Sequence, residues 1–155
     1  MLAPPILNDY FVQRMLSMKR YPVLIIVLVM LFNTSCKKYI EQKQEDAVIQ
    51  AMTTGQWAVT SFTLNGNNIT TDFTNYRFKY YENKTVDAIN NGTVQMTGNW
   101  DGNASTSTTW ANFTGATYPL QLINGSWHID RNSWTYVEAT QTNGSEVKTM
   151  RLDKQ

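Results

Sequence analysis

The amino-acid sequence predicts an all-β protein whose main domain is an antiparallel, up-and-down barrel of eight to nine strands. Three observations predict it: Asn-Gly and Asp-Gly pairs at short intervals after residue 55, alternation of apolar and polar side chains between those pairs, and a Gly-x-Trp triplet that occurs three times. Because an open antiparallel sheet exposes two edges, so many consecutive strands close most economically into a barrel.

The first element is an apolar run behind basic residues. The ten residues 23–32 are all apolar, and Lys19 and Arg20 come shortly before them. Crossing a bilayer takes roughly 20 apolar residues, so the run favours an export signal over a membrane helix. A buried core helix is the alternative, but it would need covering on every side. We interpret residues 1–35 as an N-terminal extension and signal peptide, with the true start at Met18.

Cys36 is the only cysteine of the 155 residues. A disulfide within the chain and a zinc site of the Cys-x-x-Cys type are therefore excluded. The small residues Asn33, Thr34 and Ser35 precede it directly, and the stretch resembles the lipobox of bacterial lipoproteins, although Asn33 stands where Leu is usual. The resemblance implies that Cys36 becomes the acylated first residue of the mature protein. The alternative is a free, buried cysteine that packs as a small hydrophobe.

An acylated Cys36 predicts both a partner and a location. Two or more acyl chains hold a protein stably at a membrane. We therefore expect a lipid-anchored protein of the bacterial cell envelope, at the outer membrane, whose partner is the bilayer. Residues 36–155 carry 10 basic and 11 acidic residues and are near neutral. Without a basic patch, a nucleic-acid partner is not expected.

Residues 36–54 form the second segment, the lipidated cysteine and a tether. Its first half is polar, whereas residues 40–53 lack Gly and Pro and have a weakly amphipathic pattern that predicts a short helix. Gly55 is placed to end this helix as a C-cap. We expect the barrel domain over residues 55–155.

Five turn pairs divide the barrel domain into strands. They favour hairpins because both central residues of a type I′ turn need positive φ; the pairs are Asn65-Gly66, Asn91-Gly92, Asp101-Gly102, Asn124-Gly125 and Asn143-Gly144. The predicted strands are 56–64, 74–81, 85–90, 93–100, 106–114, 118–123, 126–131, 133–140 and 146–152. Tyr76, Phe78 and Tyr80 share one strand face, as Trp127 and Ile129 do later in the chain.

The Gly-x-Trp triplets are Gly55-Gln56-Trp57, Gly98-Asn99-Trp100 and Gly125-Ser126-Trp127. Gly allows a kink or a close approach at a strand start, and the Trp two positions later lies on the same face and plugs the interior. A short helix followed by Gly-x-Trp in the first strand resembles the lipocalin and fatty-acid-binding superfamily. The resemblance implies that Gly55 and Trp57 close one barrel end and that Arg151, near the last strand, packs across Trp57.

The sequence is most similar to the small lipocalin-like domains carried by bacterial lipoproteins. The resemblance covers residues 55–153 and includes the stretch 122–129, which reads Leu-x-x-Gly-x-Trp-x-Ile. Two features depart from true lipocalins. The stretch Thr71-Asp72-Phe73 imitates their second motif but falls too early, and the domain is shorter.

Two functions from different classes follow from the predicted barrel. Eight strands enclose an interior just wide enough to be filled by side chains or to hold one small ligand. The first function is non-catalytic binding of a small hydrophobic molecule in a pocket formed by Tyr76, Phe78, Tyr80, Trp100 and Trp127. In the alternative, the five tryptophans nearly fill the barrel, and the protein is a tethered module that recognises protein or glycan with its loops or outer face.

The residues give little support to an enzyme. His128 is the only histidine, and it points to solvent if Trp127 and Ile129 point inward. Asp101 and Asp130 fall at predicted turns and are not spaced as an acid and base pair. Each glycine is explained by a turn or by Gly-x-Trp, so the sequence has no phosphate-binding loop. We expect a protein without catalytic activity, metal or cofactor.

Overall fold

A computed structural model of the protein describes residues 43–155. The predicted signal peptide, residues 1–35, and Cys36 lie outside the described residues. Helix α1 spans residues 43–53, within the helix predicted over 40–53. Nine strands and three short 3-10 helices follow it in the described part of the chain.

All nine strands belong to one antiparallel sheet. They are β1 (Trp57–Leu64), β2 (Asn67–Asn68), β3 (Tyr76–Tyr80), β4 (Thr85–Asn90), β5 (Thr93–Asn103), β6 (Thr108–Asn112), β7 (Gly125–Asn132), β8 (Tyr136–Asn143) and β9 (Glu146–Lys154). The 3-10 helices are η1 (Thr70–Phe73), η2 (Ala104–Thr106) and η3 (Leu120–Ile123).

The sheet closes on itself. From β3 onwards each strand pairs with the next one in the chain, and β9 returns to pair with β1. The β1–β9 seam runs from Trp57 opposite Lys154 to Leu64 opposite Lys148, and β1 also pairs with β3 through Trp57 and Phe78. β2 is a two-residue extension of the first hairpin. The predicted all-β antiparallel barrel is confirmed, with eight strands in the closed wall and one extra strand.

Three of the five turn pairs form hairpin turns. In both Asn65-Gly66 and Asn91-Gly92, φ is 50° at the asparagine and 80° at the glycine. These values fit a type I′ turn, which requires positive φ at both central residues. In the third pair, Asn143-Gly144, the asparagine is the last residue of β8, and the glycine, with φ 60°, is the first residue of the turn to β9. The other two predicted turns are wrong. Asp101-Gly102 lies inside β5, and Asn124-Gly125 leads from η3 into β7.

The strand predicted over 118–123 is also wrong, because residues 120–123 form the 3-10 helix η3. Pro119 has no N–H to donate to a strand ladder. Leu120, Leu122 and Ile123 are all buried, and a strand that alternates between two faces cannot bury two consecutive residues on one of them. The other predicted strands are found with ends shifted by a few residues, and Asp130 lies within β7 rather than at a turn.

The core of the barrel is aromatic. Trp57, Trp100 and Trp127, one from each triplet, are 0%, 1% and 1% exposed. Phe62 stacks on Phe73 with ring centres 4.8 Å apart and meets Trp127 edge-on at 6.0 Å. Each buried indole N–H donates to a backbone carbonyl, which removes the cost of burying it.

Two tryptophans do not contribute to this core. Trp110 is 42% exposed and Trp134 is 58% exposed. Trp110 is the outward residue of β6, since its neighbour Ala111 is buried, and Trp134 lies in the connection between β7 and β8. The expectation that all five tryptophans fill the interior is therefore correct for three of them.

Candidate functional site

The helix end of the barrel, the end that α1 covers, gathers several segments of the chain. β1 begins and β9 finishes there, and the connections 81–84, 104–107 and 133–135 reverse the chain at this end. Ile49 and Met52 of α1 pack against the core. Two concave spaces lie at the helix end, an apolar interior one that reaches the core and a polar outer one at the surface, and Trp110 is among the residues that line both.

Side chains of the barrel bind the backbone carbonyl groups at the C-terminal end of α1. Trp57 Nε1 donates to the Met52 carbonyl at 2.9 Å. Lys79 Nζ donates to the carbonyls of Thr53 and Gly55 at 2.8 and 3.0 Å, and Lys154 Nζ donates to the Ala51 carbonyl at 2.8 Å. The last carbonyls of a helix lack partners within it and carry its partial negative charge, so two ammonium groups stabilise this end.

The cation that packs on Trp57 is Lys154 and not Arg151. Lys154 Nζ lies 5.0 Å from the centre of the Trp57 ring. Arg151 Cζ lies instead over Tyr136 at 4.4 Å. The physical reason is alternation along β9: Met150 and Leu152 are buried, so Lys154 falls on their inner face and Arg151 on the outer one.

Gly55, the other residue expected to close this end, lies where α1 turns into β1. Its φ is +79°, a conformation that side chains rarely adopt. Its carbonyl is one of the two that Lys79 binds.

The interior space is a small apolar cavity of about 70 Å³ under α1. Of the five predicted pocket residues, Tyr80, Trp100 and Trp127 line it, together with Val48 and Met52 of α1. Burial raises the pKa of the Tyr80 phenol well above its usual value.

The other two predicted pocket residues are part of the packed core. Tyr76 and Phe78 are buried and lie in a chain of ring contacts, with their ring centres 6.3 Å apart. The Tyr76 hydroxyl donates to Gln95 at 2.8 Å. Neither residue lines the cavity.

The outer space, which we call the Trp110 groove, is a polar groove of about 570 Å³ at the surface of the barrel. Its lining comes from α1, from the paired strands β5 and β6, and from η2: Glu45, Asp101, Gly102, Asn103, Ala104, Ser105, Thr108 and Trp110. Trp110 lies opposite Asp101 in the β5–β6 ladder. Sequence reasoning missed this groove, although the small neighbours of Trp110, Thr109 and Ala111, hint that the indole points outward.

Lys84 contacts side chains from two of the elements that line the Trp110 groove, α1 and β5. Its Nζ lies 2.6 Å from Asp101 Oδ1, 3.9 Å from Glu45 Oε1 and 5.4 Å from the centre of the Trp100 ring. The hydrogen bond from Lys84 holds the pKa of the Asp101 carboxyl below its usual range. Two carboxylates therefore line the groove, and the Lys84 ammonium group pairs with both of them.

The titratable residues considered for catalysis, His128, Asp101 and Asp130, are not expected to form a catalytic site. His128 is exposed on β7, and Asp130 accepts a hydrogen bond from Thr140 at 2.6 Å. Within residues 43–155, no three His, Cys, Asp or Glu side chains are grouped so that they could hold a metal ion. The same residues include no helix of the length and apolar character that a membrane crossing requires.

No family model and no curated protein matches the chain. A solved structure, that of a DUF4847 family protein from Bacteroides vulgatus, is similar to it. The match covers 70% of this chain and 99% of the other, with 13% sequence identity and a TM-score of 0.48.

Proposed function

We propose that the protein is a lipid-anchored, non-catalytic binding module of the bacterial cell envelope. It is attached at the outer membrane through acyl chains on Cys36, and its barrel is a rigid scaffold that presents ligand contacts on the outside. The observation that carries this proposal is the filled interior: Trp57, Trp100 and Trp127 are at most 1% exposed and occupy the space in which a carrier would hold its ligand.

The size of the interior cavity argues against a carrier of hydrophobic molecules. Pockets that hold drug-sized ligands have volumes of about 300–1,000 Å³, and benzene occupies a cavity of about 150 Å³. The cavity under α1 measures about 70 Å³. A fatty acid would fit only if α1 left the barrel, and hydrogen bonds from Trp57, Lys79 and Lys154 hold α1 in place. Saturable quenching of tryptophan fluorescence by palmitate would indicate a carrier instead.

The anchor rests on the sequence around Cys36, and it can be tested in bacterial cells. We expect a fatty-acid probe to label the wild-type protein and leave Cys36→Ser unlabelled, because the serine variant lacks the acylated sulfur. The wild type should sediment with membranes and need detergent for its extraction. The unlipidated variant should be extracted without detergent. Immunoblotting of both proteins controls for expression. Equal labelling of the two would contradict the proposal.

A further inference from the structure

Trp110 presents a large aromatic surface at the outside of the barrel. It is 42% exposed, and single exposed apolar residues are common on protein surfaces. Trp110 differs from such residues because it forms part of a concave groove of about 570 Å³. This volume lies within the range of about 300–1,000 Å³ that small-molecule sites occupy.

The rest of the groove is polar and has been shaped by its own hydrogen bonds. Asn103 Oδ1 accepts from the backbone N–H groups of Ser105 and Thr106 at 3.0 and 3.2 Å, which fixes η2 at one side. Asp101 Oδ1 accepts from Lys84 and from the Gly102 N–H. Among the described residues, Asp101 Oδ2 and Asn103 Nδ2 have no such partner. The groove thus offers both an acceptor and a donor beside Trp110.

Two residues next to the groove lining have unusual backbone conformations. Ser107, which ends η2, has φ 51°, and Lys84 has φ 66°. Residues other than glycine rarely adopt positive φ and do so at a cost of about 1–3 kcal/mol, often at functional sites. Lys84 reaches both Asp101 and Glu45 from this position.

These features select one class of ligand. The C–H face of a pyranose ring is apolar and slightly positive, and it stacks on the negative face of an indole. Its hydroxyl groups both donate and accept hydrogen bonds, as the groove walls do. Carboxylates of Asp101 and Glu45 disfavour anionic sugars, and the polar walls disfavour aliphatic ligands. We propose that the Trp110 groove binds a neutral saccharide; this inference deepens the proposed function, on which it rests.

The test uses the full-length protein in detergent and a glycan array of neutral and acidic oligosaccharides, followed by calorimetric titration of the best neutral binder. We expect neutral oligosaccharides to bind and acidic ones not to bind. Trp110→Ala should weaken binding at least about tenfold, because the stacking surface is lost. Trp134→Ala is the matched control, since Trp134 is more exposed but does not line the groove; it should bind like the wild type.

Three outcomes would overturn the inference. The first is no binding of any neutral glycan, and the second is equal binding by Trp110→Ala and the wild type. The third is binding of tetramethylammonium at the groove without any sugar, which would indicate a cation–π site. Unchanged melting temperatures of both alanine variants show that the fold is retained, and Trp110→Phe provides a milder substitution. Fatty-acid labelling of Cys36 is measured separately, so a failure of the sugar site leaves the anchor proposal standing.

Discussion

Gly98 shows what a glycine of a Gly-x-Trp triplet contributes at the residue scale. A Cβ added there would lie 2.5 Å from the Asn112 carbonyl oxygen and 2.7 Å from Phe113 Cδ1. Gly55 and Gly125 instead have φ of +79° and +109°. The same sequence signal therefore reflects two physical needs, close approach of two backbones at one triplet and positive φ at the other two.

Gly98→Ala should lower the free energy of unfolding by about 2–3 kcal/mol, because the methyl group meets backbone that cannot move aside cheaply. Urea unfolding of both proteins measures the difference. Gly102→Ala is the matched control in the same strand: its nearest atoms are 3.8 Å away. It should stay within about 1 kcal/mol of the wild type. Equal losses in the two variants would show that the close approach is not the reason for Gly98.

At the element scale, α1 is held by the barrel rather than by its own sequence. An isolated helix shorter than about 12–15 residues is marginal in water, and α1 spans only residues 43–53. Its apolar residues Ile49 and Met52 reach the core, and lysines from β3 and β9 bind its final carbonyls. Substitutions in the barrel that remove these contacts should therefore destabilise α1.

Lys79→Met tests this dependence. The substitution removes two hydrogen bonds to carbonyls of the helix end, and we expect it to destabilise the docked helix by about 1–2 kcal/mol. Hydrogen exchange of the α1 amides should then be roughly 5–30-fold faster.

Arg77→Met is the matched control for Lys79→Met. It removes the same charge from the same strand, but Arg77 binds the carbonyls of Thr74 and Tyr76. Faster exchange of α1 in both variants would argue for a general charge effect and against capping.

At the scale of the whole molecule, a polar network on the outer face crosses the seam that closes the barrel. Asp153 of β9 accepts a hydrogen bond from Thr60 of β1 and two from Arg151 at 2.8 Å. Arg151 also binds Glu138 of β8 at 2.7 Å, and Glu138 binds Arg131 of β7 at 2.7 Å. The network therefore links β1, β9, β8 and β7.

This network predicts a pH dependence of stability. The hydrogen bonds from Arg151, and secondarily that from Thr60, hold the pKa of Asp153 below its usual range. Because the folded pKa lies below the unfolded one, the stabilisation is fully present above the unfolded value of about 3.9 and is lost as pH falls through the folded value. Asp153→Asn should lower the melting temperature near pH 6, and this difference should shrink as the pH falls below about 4.

The Arg151→Met background provides the control for that measurement. Without the guanidinium group, Asp153→Asn should lower the melting temperature by a smaller and nearly constant amount across the same pH range. The reason is that the main cause of the lowered Asp153 pKa is gone. A difference that grows on acidification in the wild-type background would contradict the assignment.

Local signals were sufficient for much of this fold. The turns at Asn65-Gly66 and Asn91-Gly92 depend on the φ of their own residues, and alternation along a strand places Tyr76, Phe78 and Tyr80 on one buried face. The burial of three tryptophans followed from their triplets. The sequence alone therefore determined the all-β class, the order of most strands and the closed barrel.

Only the tertiary structure decided what depends on contacts between distant segments. Arg151 and Lys154 are both cations of β9, and the register with Trp57 across the β1–β9 seam selects Lys154. Asp101-Gly102 has the composition of a turn, but pairing with β6 keeps it in a strand. The Trp110 groove needs α1, β5, β6 and η2 together. Composition and periodicity report the chain's local preferences, whereas register and closure decide which side chains meet.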